Sequence, residues 1–247
     1  MKFPIALPPF SEQQKIAKIL FTWDTAIKQT RKLIDAKKRR KKALMQQLLT
    51  GRKRLPGFNQ KWEEYLMGEL FKERRESKYS HLPLLAITGN QGIIFASEIK
   101  RKDSSNEDKS KYKRIMPGDI GYNTMRMWQG VSAVSTLEGI VSPAYTICTP
   151  KNKVDVNFMG YLFKFPTVIN LFWRYSQGLV SDTLNLKYNN FSQIKVVIPP
   201  IKEQRRIAQV LSTAENEINQ LEEKLNSLEK QKRGLMQKLL TGEIRVK

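Results

Sequence analysis

The chain has one cysteine, Cys148, and one histidine, His81, among 247 residues. A single thiol excludes an intrachain disulfide and any cysteine-cluster metal site. A single imidazole removes most zinc chemistry and most histidine-based catalysis. Long apolar runs are also missing: none reaches the roughly 18 residues of a membrane span. The opening MKFPIALPPF is too short and too proline-broken for a signal-peptide core. These absences point to a cytoplasmic protein with no membrane partner. Acidic residues are scarce as well, 23 Asp and Glu against 44 Lys and Arg, for a net charge of +21. That exceeds the roughly 2–8 charges that solubility asks of a small domain, and it favours a polyanionic partner.

The sequence contains a long repeat. Residues 8–51 and 199–242 align without a gap, residue 8 falling opposite residue 199. The first copy begins PPFSEQQKIAKIL and ends LMQQLLTG; the second begins PPIKEQRRIAQVL and ends LMQKLLTG. In each copy a Pro-Pro pair closes a short apolar segment, because proline disfavours helical geometry in the residue before it. Glu12 and Glu203 then fall in a first helical turn, where a carboxylate meets the positive end of the helix dipole. Ser11 is the expected cap of the first copy. Gly51 and Gly242 are the expected stops, since glycine takes left-handed geometry without a steric penalty.

Between these limits the spacing is 4-3-4-3. One seam carries Ile16, Leu20, Trp23, Ile27, Thr30, Ile34, Lys37, Lys41, Leu44 and Leu48; the other carries Ile207, Leu211, Ala214, Ile218, Leu221, Leu225, Leu228, Lys232, Leu235 and Leu239. Apolar residues at this period predict two coiled-coil helices of about 36 residues, roughly 54 Å each. Neither has a core of its own, so each needs a partner, within the chain or from another copy. The basic run KKRRKK at 37–42 and the Glu-rich stretch at 215–223 favour an antiparallel pair. With equal registers, residue n then lies opposite residue 255 minus n. The identities between copies concentrate at the ends, which a coiled-coil period does not require. Glu12, Gln13, Met45, Glu203, Gln204 and Met236, together with Leu48 and Leu239, are therefore candidates for docking helices, domain or partner subunits.

Residues 52–198 differ in character. Short apolar runs alternate with turn formers: LPLLAIT (82–88), GIIFA (92–96), GDIGYN (118–123) and GIVSPAYTIC (139–148). They predict strands of a mixed or mostly β domain. MGYLFKFPTVINLFWRY, residues 159–175, predicts a helix interrupted near Pro166. Candidate nucleic-acid contacts follow from side-chain chemistry. Arg126 can meet guanine bidentately, Asn90 and Gln91 carry the amide chemistry that suits adenine, and Trp128 offers a stacking face. Trp128 equally suits a core. Lys111, Lys113 and Arg114 close a polar loop with basic ends and suit phosphates; a solvated loop has the same composition.

Catalytic signatures are missing. The sequence holds no GxxxxGK[ST] phosphate loop, no GxSxG elbow and no paired Cys/His spacing. Both Pro-Pro pairs follow Leu or Ile, so the Asn/Asp-Pro-Pro-aromatic motif that holds a flipped adenine is absent.

On the repeated PPxxEQxxIAxxL and LMQxLLTG ends, with MPGDIGYNTMRMWQG, EGIVSPAYTI and IKVVIPPIKEQ between them, the chain resembles the specificity subunit of type I restriction–modification enzymes. The resemblance implies an α+β architecture: one target recognition domain flanked by two long helices in an antiparallel coiled coil. It implies a non-catalytic subunit that binds double-stranded DNA and directs methyltransferase and motor-nuclease subunits to an interrupted site. It implies no cofactor of its own, the methyl donor and ATP belonging to the partner subunits. The family's full subunit has two recognition domains, whereas one is visible here. The expected organisation is an extended segment at 1–10, resembling the tail of an upstream domain, helix at 11–51, recognition domain at 52–198, helix at 199–242 and a tail at 243–247. A homodimer of such half-subunits would read a palindromic, bipartite site. The same residues also fit a standalone nucleic-acid-binding architectural protein or an inactive remnant of a restriction system.

Overall fold

The computed structural model describes residues 7–89, 91–99, 108–180 and 183–246. Two compact units are present, one formed by residues 1–44 and 211–247, the other by residues 45–210. Helix α1 (Phe10–Leu48) and helix α6 (Ile201–Leu240) contribute residues to both.

In the first unit the two helices pair antiparallel, and the seam decides how. All seam residues there, from Ile16 to Leu44 and from Leu211 to Leu239, are buried or half-buried. The three seam lysines each reach a carboxylate on the facing helix: Lys37 to Glu217 at 2.6 Å, Lys41 to Glu215 at 2.6 Å and Lys232 to Asp24 at 2.5 Å. A lysine on an apolar seam buries its stem and keeps its charge near the surface; here an acid from the other helix meets that charge. Equal registers place Lys37 opposite Ile218, Lys41 opposite Ala214 and Asp24 opposite Gln231, so each observed partner is a neighbour of the residue the repeat predicts. The more exposed pairs Arg31–Glu229 and Lys38–Glu222 reach further along the helix.

Ser11 does not cap α1. The helix begins one residue earlier, at Phe10, and the carbonyl of Pro9 accepts from the Glu12 and Gln13 amides. The same geometry recurs at α6, where Pro200 accepts from Glu203 and Gln204. Proline is suited to this place because its missing N–H would have no helical partner. Both helices end as glycine allows, with Gly51 at φ 68° and Gly242 at φ 77°.

The second unit is built on antiparallel strands. Strand β1 (Glu63–Leu66) leads through the short helix α2 (Met67–Leu70) into β2 (Phe71–Glu73). Then come β3 (Leu85–Ile87), β4 (Ile93–Phe95), β5 (Lys113–Ile115) and β6 (Ile120–Asn123). They are followed by β7 (Ser132–Val134), β8 (Gly139–Val141) and β9 (Tyr145–Pro150). Helices α3 (Val156–Leu162), α4 (Pro166–Tyr175) and α5 (Tyr188–Phe191) lead to β10 (Lys195–Ile198). The central sheet runs β2-β9-β6-β7, and β1–β10, β3–β4 and β5–β8 form separate ladders.

Two apolar clusters hold this unit. Phe71, Phe163, Phe172 and Phe191 are fully buried with Tyr122, and their rings lie 5.3–6.3 Å apart at tilted, edge or stacked angles, the arrangement aromatic quadrupoles favour. Leu85, Ile87, Ile93, Ile115, Val141 and Ile147 form the second cluster. Gly121 lies under it with no room for a side chain, since a Cβ there would come within 2.3 Å of Ile87 Cδ1. Pro166 opens α4, which explains the interruption expected in 159–175.

Candidate nucleic-acid interface

Three loops of the second unit meet through hydrogen bonds. The β3–β4 hairpin closes with Thr88, whose amide and hydroxyl both donate to the Gly92 carbonyl, at 2.8 and 2.9 Å. The Thr88 hydroxyl also accepts from the Gln91 amide, leaving the Gln91 side chain exposed. Asn90, the other amide expected here, lies outside the described residues.

The second loop follows β6. Asn123 Oδ1 accepts from the Met125 amide, and the Asn123 carbonyl accepts from Arg126. A single 3-10 turn, Met127–Gln129, ends at Gly130 with φ 76°. Met127 is buried and anchors the turn; Arg126 is exposed. Trp128 is half-buried, and its indole N–H donates to the Met125 carbonyl at 2.9 Å. Its polar edge thus serves the loop itself and fixes the shape that presents Arg126. Lys164 ties this loop to the hairpin, donating to the carbonyls of Gly130 at 2.9 Å and Gly89 at 3.3 Å.

The third loop runs from Gln177 to Val180 and from Thr183 to Asn185, residues 181 and 182 lying outside the described residues. Gln177 and Asn185 exchange backbone hydrogen bonds of 2.8 Å, and the Leu186 amide donates to the Thr124 carbonyl at 2.8 Å. This loop was not singled out from the sequence, and its outward side chains, Leu179 and Val180, are aliphatic.

The basic candidates divide. Lys111 is exposed. Lys113 is half-buried on β5 and donates to the Tyr145 carbonyl at 2.7 Å; burial pushes its pKa down. Arg114 is engaged by Glu138 at 2.5 and 2.9 Å and by Glu76 at 3.0 Å, over the Tyr79 ring. Those hydrogen bonds, first with Glu138 and then with Glu76, hold its pKa above the ordinary value. Lys113 and Arg114 are thus engaged within the domain, and among the described residues Arg126, Gln91 and Lys111 are the exposed members of the set.

The repeated Glu-Gln pairs have a definite geometry. Glu203 is buried and accepts two bonds from Arg54, at 2.6 and 2.7 Å, and one from the Trp62 indole at 3.2 Å. Gln204 is equally buried. Its carbonyl accepts from the Asp155 amide at 2.8 Å, and its NH2 donates to the carbonyls of Pro199 at 2.8 Å and Lys153 at 3.0 Å. Asp155 in turn caps α3 through the Phe158 amide. In the other unit Glu12 is buried and accepts from Arg245 at 2.8 and 2.6 Å and from the Val246 amide. The hydrogen bond from Arg245 holds the Glu12 pKa below the usual carboxylate value. Gln13 donates to Pro8 as Gln204 donates to Pro199, again at 2.8 Å. Leu48 and Leu239 are buried, Met45 is half-buried and Met236 is exposed.

Comparison with known proteins places this geometry. Residues 59–230 match the type I restriction modification DNA specificity domain, over more than half of the chain. The chain belongs to that family. It is 28% identical over 270 residues to a Methanocaldococcus jannaschii protein assigned as the type I restriction enzyme MjaX specificity subunit, covering 98% of this chain and 60% of the relative. It is 26% identical over 269 residues to the MjaVIII specificity subunit of the same organism, covering 98% and 62%. The chain therefore spans about three-fifths of the length of the curated relatives it matches. Among solved structures, the HsdS subunit from Thermoanaerobacter tengcongensis aligns with TM-score 0.54 at 19% identity, over 97% of this chain and 61% of that one. The type I S subunit from M. genitalium aligns with TM-score 0.61 at 16% identity, over 93% and 61%. These two likenesses concern the fold: a β-rich domain with long helices.

Proposed function

We propose that this specificity-family chain is the non-catalytic DNA-reading component of a type I restriction–modification assembly, directing methyltransferase and motor-nuclease subunits to an interrupted site. The family match across the β-rich unit carries the reading. The net charge of +21 and the exposed Arg126, Gln91 and Lys111 support it, giving phosphates a general attraction and bases a small set of donors. The chain brings no cofactor; methyl donor and ATP act on the partner subunits.

We further propose that two copies associate, each supplying one recognition domain, so that a two-fold pair reads a palindromic, bipartite site. The motive is that one recognition unit accompanies both helical repeats. Exposed apolar residues on the helices add to it. Leu240 is 65% exposed, whereas Leu49, its counterpart in the other copy of the repeat, is 3% exposed, and Phe10 is 72% exposed. Light scattering of the chain at micromolar concentration, alone and copurified with its methyltransferase subunit, tests the pairing. Twice the chain mass for the chain alone, or a complex mass that requires two copies of the chain, supports it; a single-chain mass alone together with a complex mass that holds one copy defeats it.

A further inference from the structure

We propose that Leu179 and Val180 read a thymine by apolar contact with its C5-methyl group, an inference that rests on the DNA-reading function above. Leu179 is 101% exposed and Val180 is 60% exposed. The two side chains adjoin, so a ligand group that covers them removes apolar surface from water.

The loop that carries them is fastened on both sides. Its neck is the reciprocal Gln177–Asn185 pair. Inside the neck, the Thr183 amide and hydroxyl both donate to the Val180 carbonyl at 3.0 Å, and the Val180 amide donates back to the hydroxyl at 3.3 Å. Gly178 has φ 140°, and a Cβ there would come within 2.6 Å of the Thr183 carbonyl oxygen. Glycine is thus required for the chain to close this tightly, and the closure turns Leu179 and Val180 outward.

The loop's neighbours indicate what covers it. Its Leu186 end is bonded to Thr124, next to Met125, 48% exposed, and to Arg126. Lys164 links that loop to the hairpin that exposes Gln91. Residues 88–92, 124–130 and 177–180 contain no Asp or Glu; Asp182 lies outside the described residues. A cation, an amide and an aliphatic pair on adjoining loops form the chemical set that reads a major groove: guanine by Arg, adenine by amide and thymine by its methyl. Aliphatic contact with a methyl group is the only one of the three that the polar candidates cannot supply.

The test uses the whole chain with its methyltransferase subunit. Methylated positions are mapped for the wild type and for the double variant Leu179→Ser, Val180→Ser, with melting temperature and copurification as checks on folding. Binding of the wild-type complex to duplexes carrying deoxyuridine for thymine is measured in parallel, which requires no variant. The proposal expects the variant to lose its preference at one A·T pair per half-site while keeping the remainder of the motif. It expects the wild type to bind the uracil duplex about fourfold more weakly, the effect of one buried methyl, and the variant to bind both duplexes equally. An unchanged motif, a loss spread evenly over all positions, or equal wild-type affinity for both duplexes overturns it. A wild type that directs no motif with an active methyltransferase instead removes the DNA-reading function on which it rests.

Discussion

Arg54 and Glu203 form a two-pronged ion pair in one unit, and Arg245 and Glu12 repeat it in the other, each residue displaced from its counterpart by the interval that separates the two sequence copies. The sequence repeat is therefore a repeat of structure beyond the helices themselves. It continues past the glycine stops to an arginine that returns to the first turn of the other helix.

The Glu203 pair is buried on its acidic side, with Trp62 as the remaining donor. Arg54→Ala leaves a desolvated carboxylate and is expected to destabilise the chain by about 3 kcal/mol, a fall of roughly 6–12 °C in melting temperature for a chain of this size. Thermal unfolding followed by circular dichroism measures it. Arg245→Ala is expected to cost less, because Arg245 is itself largely exposed.

Glu12 gives that second pair a pH dependence. Its folded-state pKa lies below the ordinary value, first because of the Arg245 hydrogen bond. A depressed carboxylate pKa contributes stability that is complete above the unfolded value, about 4.3, and is lost as pH falls through the folded one. Wild type and Arg245→Gln should therefore differ in melting temperature at pH 7 and converge in acid below the folded pKa. A difference that stays constant with pH would assign the effect to packing.

Lys37, Lys41 and Lys232 make the helix register testable. Lys37→Glu places two carboxylates together on the seam, and adding Glu217→Lys restores an opposed pair. The single variant is expected to unfold earlier and the double variant to recover much of the loss, with a smaller contrast at high salt. A double variant as unstable as the sum of the singles would show that the pair does not set the register.

The same structure separates the basic residues of the recognition unit. Lys111→Ala is expected to weaken DNA binding alike for all sequences and to reduce the salt slope by at most about 0.9. Lys113→Met is expected to lower stability through the lost Tyr145 contact while leaving that slope unchanged. Arg126→Ala should relax site choice without disturbing assembly. Fluorescence anisotropy across a salt series distinguishes the first two, and methylation mapping tests the third.

The helices were legible because an apolar period of 3.5 residues over some 40 positions has few other physical solutions. The strands at 85–87, 93–95 and 120–123 were legible as short apolar runs between turn formers. The helix start was misjudged at Ser11 because a hydroxyl suggests a cap, whereas the proline carbonyls accept those amides in both copies. Arg54 and Arg245 were overlooked, although they share the spacing of the repeat, because the aligned copies close at Gly51 and Gly242, before either arginine. Lys113 and Arg114 looked like phosphate contacts because composition does not reveal which carboxylates or carbonyls a fold brings to a cation. Leu179 and Val180 carried no signal, since two aliphatic residues in a loop cannot be told from core until their exposure is known.

The central claim is that this chain selects the DNA site for a methyltransferase. The most direct measurement expresses it with its methyltransferase subunit and maps every methylated position in a sequence-diverse DNA pool. The account predicts one interrupted palindromic motif, modified in both half-sites. Copurification of the two proteins with no motif, when the same methyltransferase is active with another specificity subunit, would contradict it.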